Sequence, residues 1–194
     1  DGSGTITLGG TVSASNITLV GDGGIVLSGD ITSNNTGSAG AIAFTGPITL
    51  ADTSSDSVTI DADQHSNTTV TFNSTATVNA ATIGGQSLVI DTDAGAIAMQ
   101  GAIGGSTALN ALTVNADGAG TIEIANIGTS SAVGVTGATA IGNTSTGTLT
   151  LDGSAYTTTG TQTYKGASGG SNIVISGTAP TFTTTNTAIA FNTS

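Results

Sequence analysis

The chain has 194 residues, 12 acidic side chains against a single lysine or arginine, a formal charge of −11, 30 glycines, and neither cysteine nor tryptophan. Lys165 is the only strong cation, so the chain cannot neutralise a phosphate backbone or an anionic membrane surface, and neither nucleic acid nor membrane insertion is expected. Without cysteine there are no disulfides, thiol nucleophiles or thiolate metal ligands, and the chain is indifferent to an oxidising compartment.

Charged residues make up 7% of the chain and hydrophobic ones 37%, the reverse of the balance that keeps a chain disordered. No apolar run approaches the ~20 residues of a membrane-spanning helix. No basic start followed by an apolar stretch marks a signal peptide. Asp1 stands where an initiator methionine would be, so the sequence is expected to be a piece of a longer or processed chain.

In chain order, short period-two bursts predict strands at residues 5–8, 16–19, 41–44, 47–50, 57–60, 69–72, 121–124 and 148–151. Apolar residues alternate there with short polar ones, and Gly, Asn or Asp commonly follows. Successive strand residues face opposite sides, so each burst buries two apolar side chains and exposes its polar ones. Glycine and β-branched residues at this density oppose helix, and the expected class is all-β.

The bursts recur at intervals. Leu88 is matched by Leu112, Asp93 by Asp117 and Ile103 by Ile127, and the residue numbers differ by 24 in every pair. A shorter motif, apolar-x-apolar-x-Gly-x-apolar or close to it, starts at Ile6, Ile25, Ile42 and Ile97, the first three at spacings of 19 and 17. A unit this small cannot bury its apolar face alone, but stacked units can, each strand pairing with its counterparts in the coils above and below. The expected architecture is a parallel β-helix, or β-solenoid, spanning 1–194 as one segment of a longer array, with coils of roughly 17–27 residues. With strands ~4.8 Å apart and about eight units, the rod would be roughly 40 Å long. The alternative is a β-sandwich of roughly 7–9 longer strands.

The segments Ile103-Gly104-Gly105-Ser106-Thr107-Ala108-Leu109-Asn110-Ala111-Leu112-Thr113-Val114-Asn115-Ala116-Asp117-Gly118 and Thr158-Thr159-Gly160-Thr161-Gln162-Thr163-Tyr164-Lys165-Gly166-Ala167 resemble the repeats of filamentous-haemagglutinin-like proteins, large repetitive bacterial surface adhesins. The resemblance covers most of residues 80–194, and the first 80 by general pattern. It implies a β-helical stalk, export to the cell surface, and a role in adhesion or biofilm matrix, with cell-surface or matrix components as partners. The alternative is a subunit whose copies assemble end to end or laterally into an extracellular fibre or sheath. Neither terminus shows a polar cap, and uncapped strand edges invite such pairing.

Candidate chemistry is sparse. Asp61 and Asp63, Asp91 and Asp93, Asp117, and Asp152 each follow an apolar burst. In stacked units they would line one corner, where either water or Ca²⁺ with its oxygen ligands would answer the repulsion. No other cofactor is expected. One Glu, one Lys and no Arg are too few for the acid, second carboxylate and cation of a polysaccharide-cleaving enzyme, so no catalysis is expected. His65 reads as a solvated loop residue. Asn-x-Ser/Thr triplets begin at Asn16, Asn34, Asn67, Asn73, Asn143 and Asn192, close to the number that so much Ser and Thr yields by chance. Thr-x-Thr pairs such as Thr161/Thr163 are too unevenly spaced for an ice-binding array and read as outward strand positions. Phe44, Phe72, Phe182 and Phe191 fall in apolar slots and are expected in the core, whereas Tyr156 and Tyr164 are less regular and are candidates for the surface.

Overall fold

The structure, a computed structural model, describes residues 3–33, 39–52, 56–64, 67–166 and 173–193. His65 and the triplet at Asn34 lie outside the described residues. The chain winds through three faces in a fixed order, one strand per face. The first pass is β1 (Ile6–Leu8), β2 (Val12–Ala14) and β3 (Asn16–Val20). Next come β4 (Ile25–Leu27), β5 (Ile31–Ser33) and β6 (Ala41–Thr45), then β7 (Ile48–Leu50), β8 (Ser57–Ala62) and β9 (Thr69–Phe72). The winding continues with β10 (Val78–Ala80), β11 (Ser87–Thr92) and β12 (Ile97–Met99). In the two passes that follow, Ile103 and Ile127 alone make the first-face rung, ahead of β13 (Leu112–Ala116) and β14 (Ile122–Ile124), and of β15 (Thr139–Ile141) and β16 (Leu149–Leu151). The last strands are β17 (Ala155–Thr157), β18 (Gln162–Gly166), β19 (Ile173–Ile175), β20 (Thr181–Thr183) and β21 (Ile189–Thr193).

Each strand pairs in parallel with the strand one pass earlier and one pass later on its own face. This is the expected β-solenoid, and the all-parallel pairing excludes the sandwich, whose sheets are antiparallel. The second face carries eight strands, which at ~4.8 Å per spacing stand roughly 34 Å from first to last.

The register corrects the coil length. The shortest coil runs from Ile6 to its partner Ile25 and the longest from Val58 to its partner Leu88, so coil lengths range from 19 to 30. The spacing of 17 from Ile25 to Ile42 is not a coil: Ile25 lies on the first face between Ile6 and Ile48, and Ile42 on the third between Ile17 and Val70. The short motif marks a strand running into a glycine turn on any face, and it carries no information about which. The offset of 24 survives, since Leu88 pairs with Leu112 and Ile103 with Ile127.

Pairing in register stacks like on like inside. Ile6, Ile25, Ile48, Val78, Ile103, Ile127, Tyr156 and Phe182 form one ladder. Val12, Ile31, Ile60, Ile90, Val114, Ile141, Tyr164 and Phe191 form a second. On the third face Leu19, Phe44, Phe72, Met99, Ile124, Leu151 and Ile175 form another. The middle rungs of all three are buried in one continuous core. Corners are tight: at Gly104, where φ is 66°, a Cβ would stand 1.9 Å from the Gly134 carbonyl oxygen, so any side chain clashes with the neighbouring coil.

The tyrosines are not on the surface. Tyr156 and Tyr164 are both fully buried, on the ladder parity that Ile127 and Ile141 set one coil earlier. The Tyr156 hydroxyl donates to the Ile124 carbonyl at 3.1 Å and accepts from the Gly153 N–H at 2.7 Å. Tyr164 donates to Gln162 Oε1 at 2.9 Å. Gln162 Nε2 in turn donates to the carbonyls of Tyr156 and Thr183, at 2.9 and 2.8 Å. Burial pushes the Tyr156 hydroxyl pKa up to about 12. Phe44 and Phe72 are core as expected, Phe182 is partly buried, and Phe191, on the last rung, is 44% exposed.

Two substitutions test the ladder. Ile90→Ala opens a void in a column that neighbours above and below hold rigid, and is expected to lower stability by ~2–5 kcal/mol; outward Thr113→Ala should cost under ~1 kcal/mol. Thr139 occupies an inward slot between Leu112 and Gln162, and its hydroxyl is buried without a hydrogen-bond partner. Thr139→Val keeps the shape and removes the stranded group, and is expected to stabilise by ~1 kcal/mol. Denaturant midpoints of the three variants check both expectations.

Candidate functional site

The acidic corner forms on the second face, where β8, β11 and β13 neighbour one another. Val58, Ile60 and Ala62 turn inward in β8, as do Leu88, Ile90 and Thr92 in β11, and Leu112, Val114 and Ala116 in β13. Parity therefore turns Asp61, Asp91 and Asn115 outward. The register places them in one column, Asp61 beside Asp91 and Asp91 beside Asn115. Adjacent parallel strands are ~4.8 Å apart, so the two carboxylates face each other across a single rung.

Asp63, Asp93 and Asp117 follow two residues later, where each strand leaves the face. Asp61 accepts a hydrogen bond from the Asp63 backbone N–H at 3.2 Å, a local turn that Asp favours. Asp63 accepts from Gln64 Nε2 at 3.0 Å. Asp117 accepts from the side-chain amide of Asn143, which takes the same place one coil on. Asn143 also caps its own turn, accepting from the N–H groups of Ser145 and Thr146 at 2.7 and 3.0 Å.

Burial, followed by the charges of Asp117, Asp63 and Asp61, pushes the Asp91 pKa up to about 6. Asp61 is raised as well, first by burial and then by its neighbour Asp63. A carboxylate held among other carboxylates gains by taking up a proton.

Asp152 does not belong to this corner. It follows β16, on the third face, and accepts from the Ser176 hydroxyl at 3.0 Å on the next coil. Asp after a Leu-x-Leu burst looks the same at the end of any strand, whereas the face depends on the strand's place in the coil. Ca²⁺ takes roughly six to eight oxygen ligands; among the described residues no three His, Cys, Asp or Glu side chains converge to hold a metal ion. The one rung on which two carboxylates are paired within the strands is that of Asp61 and Asp91 among the described residues.

Two glutamines inside the solenoid were not anticipated. Gln86 is fully buried; its Oε1 accepts from the Ala81 and Thr82 N–H groups at 2.8 and 3.2 Å, and its Nε2 donates to Asp52 at 3.0 Å. Gln162 makes the contacts described above. Parity would have found both, because residues 86, 88, 90 and 92 share one side of β11 or its lead-in, and residues 162 and 164 share one side of β18.

No protein-family model matches the sequence, and neither a curated protein nor a solved structure does so significantly.

The acidic corner makes a signed pH prediction. The folded-state pKa of Asp91, about 6, lies above the unfolded value near 3.8, so between the two the folded chain binds a proton that the unfolded chain does not. Stability therefore increases as pH falls through 6 toward 4, and the melting temperature should be higher at pH 4.5 than at pH 7.5. Asp91→Asn removes the repulsion and extends the column that Asn115 begins. It is expected to melt higher than the parent at pH 7.5 and to respond less to acid; melting curves at both pH values check this, and a lower melting temperature at pH 7.5 would refute it.

Proposed function

We propose that the chain is a non-catalytic structural segment, a stiff stalk or shaft of an extracellular bacterial adhesin or biofilm-matrix protein. The observation that carries this reading is the continuity of the apolar ladders. Inward side chains stack from Val12 to Phe191 on one face and from Ile6 to Phe182 on another with no charged group between them. Bending or shearing such a rod must disrupt several ladders at once. Its outward strand positions are mostly Thr, Ser, Ala and Asn, which present a hydrated face with Asp61 and Asp91 set together at the acidic corner, and among the described residues no cavity opens on it. The resemblance to filamentous-haemagglutinin-like repeats supports placing it at the bacterial surface, where it would hold other parts of its molecule toward cell-surface or matrix partners.

Pulling one chain by its termini tests the mechanical role. The coils should peel away singly, from the shortest, like that between Ile6 and Ile25, to the longest, like that between Val58 and Leu88. Each would lengthen the chain by roughly 65–105 Å at ~3.5 Å per extended residue. One cooperative collapse at low force, without coil-sized steps, would refute the shaft. For location, protease shaving of intact cells that make the chain, read by mass spectrometry, is expected to release its peptides; their absence from shaved cells that contain it would refute surface display.

A further inference from the structure

The only lysine or arginine of the chain shares a column with the carboxylate pair. Gln162 and Tyr164 turn inward in β18, so Lys165 turns outward on the second face. Val114 pairs with Ile141 and Ile141 with Tyr164, and the residue after each therefore continues the outward column of Asp61, Asp91 and Asn115. Gly142 takes the place between Asn115 and Lys165; its N–H donates to the Val114 carbonyl at 2.7 Å, and a Cβ there would come within 2.1 Å of the Lys165 carbonyl oxygen. Asn192 follows Lys165 on the next rung. In the strand order β8, β11, β13, β15, β18 and β21, the column thus reads carboxylate, carboxylate, amide, glycine, ammonium, amide.

Lys165 and Asp91 lie three rungs apart, roughly 14 Å at ~4.8 Å per rung, well beyond the ~4 Å of an ion pair. The two signs on this face cannot answer each other within one copy. The other faces hold no such combination. The third carries Glu123 in β14 and Asp152 after β16 without a cation. On the first, the following coil lies against outward Asn79, which accepts from the Ser106 and Thr107 N–H groups at 3.0 Å each.

A copy that faces the column and runs the other way along the rod axis brings the signs together. With a two-fold axis along the strands, midway between β13 and β15, the rung of β11 lies over β18 of the second copy, β8 over β21 and β13 over β15. Asp91 then faces Lys165, Asp61 faces the amide of Asn192, and Asn115 faces Gly142, which has no side chain to obstruct it. Facing sheets stand ~10 Å apart, a gap that an extended lysine and an aspartate cross together. The contact is self-complementary, so it makes the pair twice and closes as a dimer. Rods running the same way would instead set Asp91 over Asp91 and Lys165 over Lys165, an arrangement that repulsion opposes.

We propose that a second copy of this chain docks on the second face, face to face and antiparallel, so that Lys165 of each copy meets Asp91 of the other. The repulsion between Asp61 and Asp91 within a copy is then relieved by a cation from its partner. The inference goes beyond the shaft reading, since it concerns how two rods lie side by side. Eight rungs of three to six residues offer each copy roughly 350–650 Å². That is below the ~800 Å² per partner of a stable interface, so pairing is expected at high protein concentration and weakens as salt screens the charges.

Charge swaps test the arrangement. Sedimentation of the parent chain at high concentration and low salt should show a dimer that dissociates as salt is raised. Lys165→Asp sets a carboxylate opposite Asp91 and is expected to weaken association at least about tenfold. The double variant, Asp91→Lys with Lys165→Asp, carries the same pairs reversed and should recover the parent's association. In mixtures of differently tagged chains, parent and double variant should each pair with their own kind only. Mixed pairs would overturn the antiparallel arrangement, because rods running the same way set position 91 opposite position 91; this comparison needs neither single variant. A parent that stays monomeric at every concentration would overturn the docking face. So would a Lys165→Asp variant that melts and dimerises as the parent does. Coil-sized force steps from the same chains would leave the shaft reading standing in either case.

Discussion

Parallel pairing in register, with each inward side chain resting on its counterpart one coil away, is the constraint from which the rest of the molecule follows. Strands ~4.8 Å apart place side chains at the spacing at which like shapes pack on like. β-Branched residues fill such ladders in their preferred rotamers, which is why Ile and Val dominate the interior. Rings obey the same rule by arriving in stacks. Phe44 lies on Phe72 with ring centroids 4.6 Å apart, Tyr156 on Phe182 at 4.6 Å, and Tyr164 on Phe191 at 5.0 Å. The last two stacks meet edge to face between columns, at 5.2 to 6.2 Å, an arrangement aromatic rings favour.

Polar groups enter this interior mostly where they are answered. Gln86 and Gln162 span inward slots and tie separate turns of chain together through hydrogen bonds to backbone and side-chain partners. Outside, stacking turns a sequence motif into a column, for better and worse. Asn73, Asn79, Asn126 and Asn143 accept bonds from turn N–H groups on their own coil or the following one. Asp61 and Asp91, set in register by the same geometry, repel instead. A solenoid copies favourable and unfavourable neighbours alike along its axis.

Much of this was legible in the sequence. Period-two bursts located eight of the 21 strands among the described residues, and the offset of 24 that relates Leu88 to Leu112 is a true coil. Parity within a strand also held the buried positions of Gln86 and Gln162, though a pattern read only from apolar residues passes over them. Tyr156 and Tyr164 escaped for the same reason, since they continue ladders that only the pairing connects. What the sequence determined by itself is local: which residues extend, which side of each strand they take, and where glycine lets the chain turn. Which strand lies on which face was decided only by the tertiary structure, because coils of unequal length close through loops whose sequence says little about where they end. That is why Ile42 left the first face and Asp152 left the acidic corner, whereas Asp91 lies beside Asp61 as the recurring motif led one to expect.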